Sequence, residues 1–518
     1  MMRTFSSRLS LFLCFLLLTI PSFGWRFESF ESLRALAKED AEWEDLLAKI
    51  PRHGWEKFHD AIRTAEQSDW ARVQGNPWLD RVKNAAAEAI KYGFHSFWEW
   101  MGSPGHQQFY NNFTYVPVFT SDDLKGTNVS CFRIPSVTQT ANGTIVAFAE
   151  ARGHFGIEGK GSCADCSALG IAVKRSFDGG QTWVPKVGFT WALDPYFSVG
   201  KHPAGASKVA YRNSGGNPVA VYDRVHDRIL LHFVRGQGNP DGDCVPGDSN
   251  WQVVSSDHRA TWSAPQNISK YLGDFVGSLP GPGRGGVQAP SGRLLFNAHR
   301  GTAERGSGAV AVYYSDDFGE TYKIAKSPFP HMDESTMTAA PNGDIIINMR
   351  NDPATSGCKS PSLSSSSGKV SPVPCHVRAV ARSSDGGATW TTLSFDETLP
   401  DPICEASLST VGNTTVFFNP TMQFMRSMPA LRFSYDNGKT WAKTVPVGDS
   451  FVDYSAIVNG ALVAGPEADK GKLMGGVLWT GCKHPVTFRL WCTPIDQIKG
   501  LGTWWNIGFT RFEVPSQI

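Results

Sequence analysis

The sequence predicts an all-β chain, a six-bladed β-propeller, with an N-terminal helical module ahead of it. Three patterns lead there: a repeated octet, strand-length apolar runs between turn signals, and helical periodicity confined to residues 25–105. The octet Ser-x-Asp-x-Gly-x-Thr-Trp stands at 176–183, 383–390 and 434–441. Weaker copies stand at 255–262, which lacks the glycine, and at 315–322, which ends in tyrosine. Their aspartates, Asp178, Asp257, Asp317, Asp385 and Asp436, lie 79, 60, 68 and 51 residues apart, a spacing that suits one supersecondary unit per copy. Physically the octet reads as a hairpin turn. The aspartate bonds nearby backbone N–H groups, the glycine takes a positive φ, and the aromatic residue packs beneath.

Candidate strands are 144–149, 229–234, 294–296 and 344–349, with hairpin signals at Asn142-Gly143, Ser291-Gly292, Asn342-Gly343 and Asn459-Gly460. Roughly 400 residues, at four strands per blade, give six blades, and the propeller is assigned to 106–518. Before it, Phe30, Leu33, Ala37, Trp43, Leu46 and Ile50 recur at helical intervals, as do Leu79, Val82, Ala86, Ile90 and Phe94. Three or so helices follow, serving as a propeptide, a cap, an oligomerisation element or a helical layer on the main domain. Residues 1–24 have a basic start (Arg3, Arg8), an apolar run over 9–20 and then Pro21-Ser-Phe-Gly24. They read as a secretory signal peptide, its apolar run too short to span a bilayer comfortably, and no later segment approaches a span.

Composition narrows the partners. A net charge of +1 gives no footprint for nucleic acid or another polyanion. Five acceptor sequons, at Asn112, Asn128, Asn142, Asn267 and Asn413, fit the secretory route. Removal of Cys14 with the signal leaves nine cysteines, most of them expected to pair. The expected pairs are Cys163 with Cys166, Cys358 with Cys375 and Cys482 with Cys492, leaving Cys131, Cys244 and Cys404 with one odd thiol. Zinc at Cys163-x-x-Cys166 would need a second pair or a His cluster at ligand spacing, and the sequence has neither.

A propeller does not name a function, so the chemistry must come from residues at the mouth of its channel. Arg133 sits in Phe132-Arg-Ile-Pro135, Arg350 ends a candidate strand, and Arg426 precedes the last octet. Singly, each reads as a surface or inter-blade ion-pair residue. Together, at strand ends of different blades, they could converge on one anion, and guanidinium forks suit a carboxylate.

With Phe132-Arg-Ile-Pro135, the octets and several further segments in matching order, residues 125–515 resemble the sialidase (neuraminidase) family. The resemblance implies an exo-α-sialidase that releases terminal sialic acids from glycoproteins, glycolipids and oligosaccharides with retention. Residue by residue, it implies that Arg133, Arg350 and Arg426 grip the sialic acid carboxylate. Arg152 would lie beside the acid/base, Asp165; Tyr454 would be the nucleophile and Glu334 its base. Sialidases are the exception among retaining glycosidases in using tyrosine. The substrate's own carboxylate, on the anomeric carbon, would repel an anionic nucleophile, whereas a neutral phenol needs only an adjacent base. Thr480 stands where the family carries a glutamate behind the first arginine, which leaves the partner of Arg133 open. No metal or organic cofactor is expected, since each role has a side chain. The alternatives are a trans-sialidase, a non-catalytic sialoglycan-binding lectin and an unrelated propeller scaffold; the address would be extracellular or lysosomal.

Overall fold

A computed structural model describes residues 113–153, 163, 165, 168–194, 215–236, 247–257, 261–300, 308–326, 329–351, 374, 376–423, 426, 428–448, 452–482 and 505–517. The signal peptide, the helical module, Asn112, and Cys166, Cys244, Cys358, Cys375 and Cys492 lie outside the described residues. Among those described, helix is limited to short 3-10 turns such as Ser121–Leu124.

Six antiparallel sheets follow one another along the chain. After β1 (Tyr115–Phe119), the first blade is β2 (Val129–Gln139), β3 (Ile145–Gly153), β4 (Ala168–Ser176) and β5 (Thr190–Leu193). The second is β6 (Gly215–Asp223), β7 (Arg228–Arg235), β8 (Ser249–Ser255) and β9 (Gln266–Asn267). In the third, the inner strand is split into β10 (Leu279–Pro280) and β11 (Gly286–Gln288); β12 (Leu294–Arg300), β13 (Ala309–Ser315), β14 (Lys323–Ile324) and β15 (Phe329–Pro330) complete it. The fourth is β16 (Ser335–Ala339), β17 (Ile345–Met349), β18 (Val377–Ser383) and β19 (Ser394–Pro400). The fifth is β20 (Ser407–Val411), β21 (Thr414–Pro420), β22 (Pro429–Ser434) and β23 (Lys443–Pro446). The sixth joins β24 (Val452–Ile457), β25 (Met474–Cys482) and β26 (Trp505–Glu513) to β1, with Tyr115 opposite Thr510.

Every candidate strand read from sequence falls, to within one residue, in the second strand of a blade, β3, β7, β12 or β17. Those strands lack polar alternation because a neighbouring blade covers each face. One apolar cluster fills each junction. Ala147 packs with Phe509, Phe148 with Phe233, Leu230 with Phe296, Leu295 with Ile347, Ile346 with Phe417, and Phe418 with Trp479. The junction of Ala147 with Phe509 joins the first blade to the sixth and closes the ring.

The octets form the turn after the third strand of blades one to five. In the first, Asp178 Oδ1 accepts from Gln181 N, Thr182 N and Ser176 Oγ at 2.8–3.0 Å, and Thr182 Oγ1 donates to Oδ2 at 2.6 Å. Gly180 has φ +91°, and a Cβ there would meet the Phe509 ring at 2.2 Å. Trp183 also stacks on Phe509, edge to face at 5.4 Å, so the turn is wedged against the sixth blade. The asparagines of the four described sequons, Asn128, Asn142, Asn267 and Asn413, are all exposed.

One pairing corrects the sequence reading. Cys163 bonds Cys131, 32 residues away with Cα atoms 5.7 Å apart, and not Cys166; Cys404 is a buried free thiol. The reason is register. Cys131 lies opposite Arg152 on β3, and Arg152 also donates to the Cys163 carbonyl, so Cys163 is held beside Cys131.

Candidate active site

At one end of the propeller, opposite the octets, the inner strands β2, β16 and β24 bring Arg133, Glu334 and Tyr454, and the ends of the second strands β3 and β17 bring Arg152 and Arg350. On β2, Pro135 has no N–H for the ladder, the register shifts between Arg133 and Ser136, and Ile134 takes φ +50°. This irregularity takes Arg133 out of plain alternation. On β3, Glu150 and Arg152 are two residues apart, hence on one face, and pair at 2.7 Å. Arg152 is nearly inaccessible and donates to Asp165 Oδ1 at 2.6 Å and to the Cys163 carbonyl at 2.8 Å.

Glu334 and Arg350 occupy the next rung beyond the β16–β17 ladder, where Arg350 N donates to the Glu334 carbonyl at 2.8 Å. Their side chains therefore meet, with Arg350 Nη1 on Glu334 Oε2 at 2.6 Å. The other oxygen of Glu334 accepts the hydroxyl of Tyr454. Tyr454 lies at the start of β24, flanked by the guanidiniums of Arg133 and Arg426 at 6.0 and 5.9 Å from its ring centre. Both arginines donate to one carboxylate, that of Asp453. The open partner of Arg133 is thus an aspartate beside Tyr454, while the Thr480 hydroxyl is buried without a hydrogen-bond partner. All seven candidate residues come together around one mouth.

Charge states follow from these contacts. Burial, then the neighbouring Glu334, raises the Tyr454 phenol well above its ordinary value, with Arg350 and Arg426 opposing in part. It rests as a neutral donor. Asp165 has a side chain 69% exposed. What burial it has works to raise its pKa, but Arg152 and Arg133 outweigh this and hold the carboxyl well below the usual range. It rests ionised.

Two residues under the site escaped sequence reading. Glu405 is buried, with Oε2 accepting Ser455 N at 2.8 Å, and burial pushes its pKa well above the carboxylate range. Gly283 (φ +71°) crosses above it. A Cβ there would sit 2.2 Å from the Ser455 carbonyl and 2.6 Å from Glu405 Oε1, so only glycine fits. Gly283 also accepts from Ser136 Oγ at 3.0 Å, tying the third blade's split inner strand across to the first. Residues of the first, third, fifth and sixth blades thus meet at this floor. Asp453 carried no signal but its place next to Tyr454. Among the described residues no group of His, Cys, Asp or Glu could hold a metal ion.

Fold and site together define a six-bladed propeller that carries the octet on five blades and gathers arginines around a neutral, buried phenol at one mouth. The chain belongs to the family of the BNR repeat-like domain, which matches residues 171–463. It is similar to proteins named sialidase from Bacteroides fragilis (28% identity, covering 61% of this chain and 55% of that protein) and Micromonospora viridifaciens (27%, 66% and 50%). The chain therefore spans about half the length of these relatives. Among solved structures, a Hadza microbial sialidase matches with TM-score 0.52 at 24% identity, over 68% of this chain and 64% of that one, a likeness of fold.

Proposed function

We propose that the chain is an exo-α-sialidase that hydrolyses terminal sialosides with retention through Tyr454. The observation that carries this reading is the Tyr454 hydroxyl donating to Glu334 between two arginines. Arg133, Arg350 and Arg426 take the substrate carboxylate. That contact neutralises part of the field that keeps Asp165 ionised, and the bound sugar shields the loop from water, so both effects raise its pKa toward that of a usable acid. Asp165 then protonates the leaving oxygen as Tyr454 attacks the anomeric carbon and Glu334 takes the phenolic proton. Arg350 and Arg426 favour the phenolate character that develops. Water, deprotonated by Asp165, attacks the same carbon, the tyrosyl oxygen leaves and regains its proton from Glu334, and free sialic acid departs.

The similarity to sialidases supports the reaction class, and the secretory signal read in residues 1–24 supports extracellular or lysosomal glycans as substrates. A fluorogenic sialoside tests the reading. Wild type should turn it over, and Tyr454→Phe should lose at least about 10³-fold in kcat while keeping its melting temperature. An inactive wild type that still binds sialoside would make the protein a lectin. Sialyllactose formed when lactose is supplied would make it a trans-sialidase.

A further inference from the structure

Between Val452, opposite Gly481, and Ser455, opposite Trp479, two residues of β24 face one residue of β25. Asp453 and Tyr454 together oppose Thr480: a β-bulge, at the residue on which the proposed chemistry turns. In a regular strand, consecutive side chains point to opposite faces, and an acid next to Tyr454 would turn away from anything Tyr454 touches. Here both engage the same two guanidiniums. Asp453 Oδ2 accepts from Arg133 Nη2 and Oδ1 from Arg426 Nη1, while both guanidiniums flank the Tyr454 ring.

We propose that Asp453 is the positioning residue of the carboxylate clamp, its two oxygens setting the separation of Arg133 and Arg426 and holding them ready for the substrate's own carboxylate. This rests on the sialidase reading and adds to it the residue that organises the grip. Accessibility gives the order from inside to out: Asp453 is 3% exposed, Arg133 13% and Arg426 22%. The acid is covered while both arginines keep exposed surface for an incoming anion. Electrostatics agree. Burial works to raise the Asp453 pKa, yet the two arginines prevail and keep it ionised. Two like charges beside one phenol repel, and a carboxylate shared between them offsets that before substrate arrives. The carboxylate comes from β24 itself, one rung across from Thr480, whose buried hydroxyl makes no hydrogen bond.

Asp453→Asn, near in shape, and Asp453→Ala test this in full-length protein. Both should raise KM for a sialoside about tenfold or more with kcat within about threefold, the split expected for a lost grip rather than lost chemistry. Asp453→Ala/Thr480→Glu, which returns an acid across the rung, should recover part of the loss. If Asp453→Ala does not fold, Asp453→Asn decides. A KM unchanged or lowered in a folded variant overturns the proposal, because an acid that competed with substrate, or did nothing, would give that. Calorimetry with free N-acetylneuraminic acid and its methyl ester reads the clamp without turnover. Wild type should prefer the acid and Asp453→Ala should not; equal binding of acid and ester by wild type also overturns the proposal. A wild type that prefers the acid but cleaves no sialoside refutes the hydrolase reading and leaves the role of Asp453 standing.

Discussion

At the scale of single residues, the resting state of Asp165 is the opposite of the one the proposed mechanism requires, and in that mechanism substrate must reverse it. Asp165, paired with Arg152, is ionised, although a general acid must carry a proton. A lowered pKa makes the protonated form scarce at every pH above the usual carboxylate range. kcat/KM, which reports the free enzyme, should therefore fall as pH rises toward neutrality, and that fall should disappear in Asp165→Ala. Leaving groups give a second check. With a sugar hydroxyl departing, Asp165→Ala should lose about 10²–10⁴-fold in kcat/KM, whereas an aryl leaving group that needs little protonation should lose less than about tenfold. Equal losses on both would remove Asp165 from the acid role. The sequence named Asp165 and its six companions because the resemblance supplied them in order. It did not name Asp453 or Glu405. Plain strand alternation sends Asp453 away from Tyr454, and only the pairing of β24 with β25 creates the bulge that returns it. Glu405 likewise sits at the floor through contacts with Gly283 and Ser455, both distant in sequence.

At the scale of elements, the octet was legible because its bonds are local, spanning two to four residues. Asp436 Oδ1 accepts from Lys439 N, Thr440 N and Ser434 Oγ, and Oδ2 accepts from Thr440 Oγ1. Against some burial, the Thr440 bonds and their neighbours lower its pKa from 3.8 to about 2. A depressed folded pKa gives stability that is present above the unfolded value and lost as pH falls through the folded one. Asp436→Ala should cost roughly 1.5–3 kcal/mol at neutral pH, the range for bonds to a charged acceptor. The gap between wild type and variant in urea unfolding should hold from about pH 8 to 5 and narrow below about pH 4, where the unfolded carboxyl takes up its proton. A gap that stays constant to pH 3 would mean the charge contributes nothing. What local reading could not give was register. The Cys131–Cys163 bond depends on which β2 residue faces Arg152, and the nearer Cys166 was the natural but wrong choice. The split inner strand of the third blade also escaped, since Pro280-Gly-Pro-Gly283 reads only as a turn until the floor it forms is known.

At the largest scale, the propeller is a ring, and its site exists only while the ring is closed. Arg133, Arg152 and Asp165 come from the first blade, Glu334 and Arg350 from the entry to the fourth, Arg426 from the fifth, and Asp453 and Tyr454 from the sixth. Blades one and six meet through β26, which lies between β1 and β25 and carries Phe509 beneath Trp183. An open propeller would keep five junctions and lose the one that sets Arg133 against Asp453. Phe509→Ala removes the ring under Trp183 and Gly180, leaving a cavity at that seam. It should cost about 3–5 kcal/mol of stability, and more activity than an equivalent truncation away from the seam, because stability and the Arg133–Asp453 pairing fail together. Deleting 505–517 goes further. It leaves β1 without a partner and Leu478 uncovered, so the cooperative melt and sialoside turnover should both vanish. Thermal unfolding followed by tryptophan fluorescence, beside activity on the same samples, checks both. A truncated chain that melts cooperatively and still turns over substrate would show that β24 and β25 suffice without β26, and the closed ring would no longer explain the site.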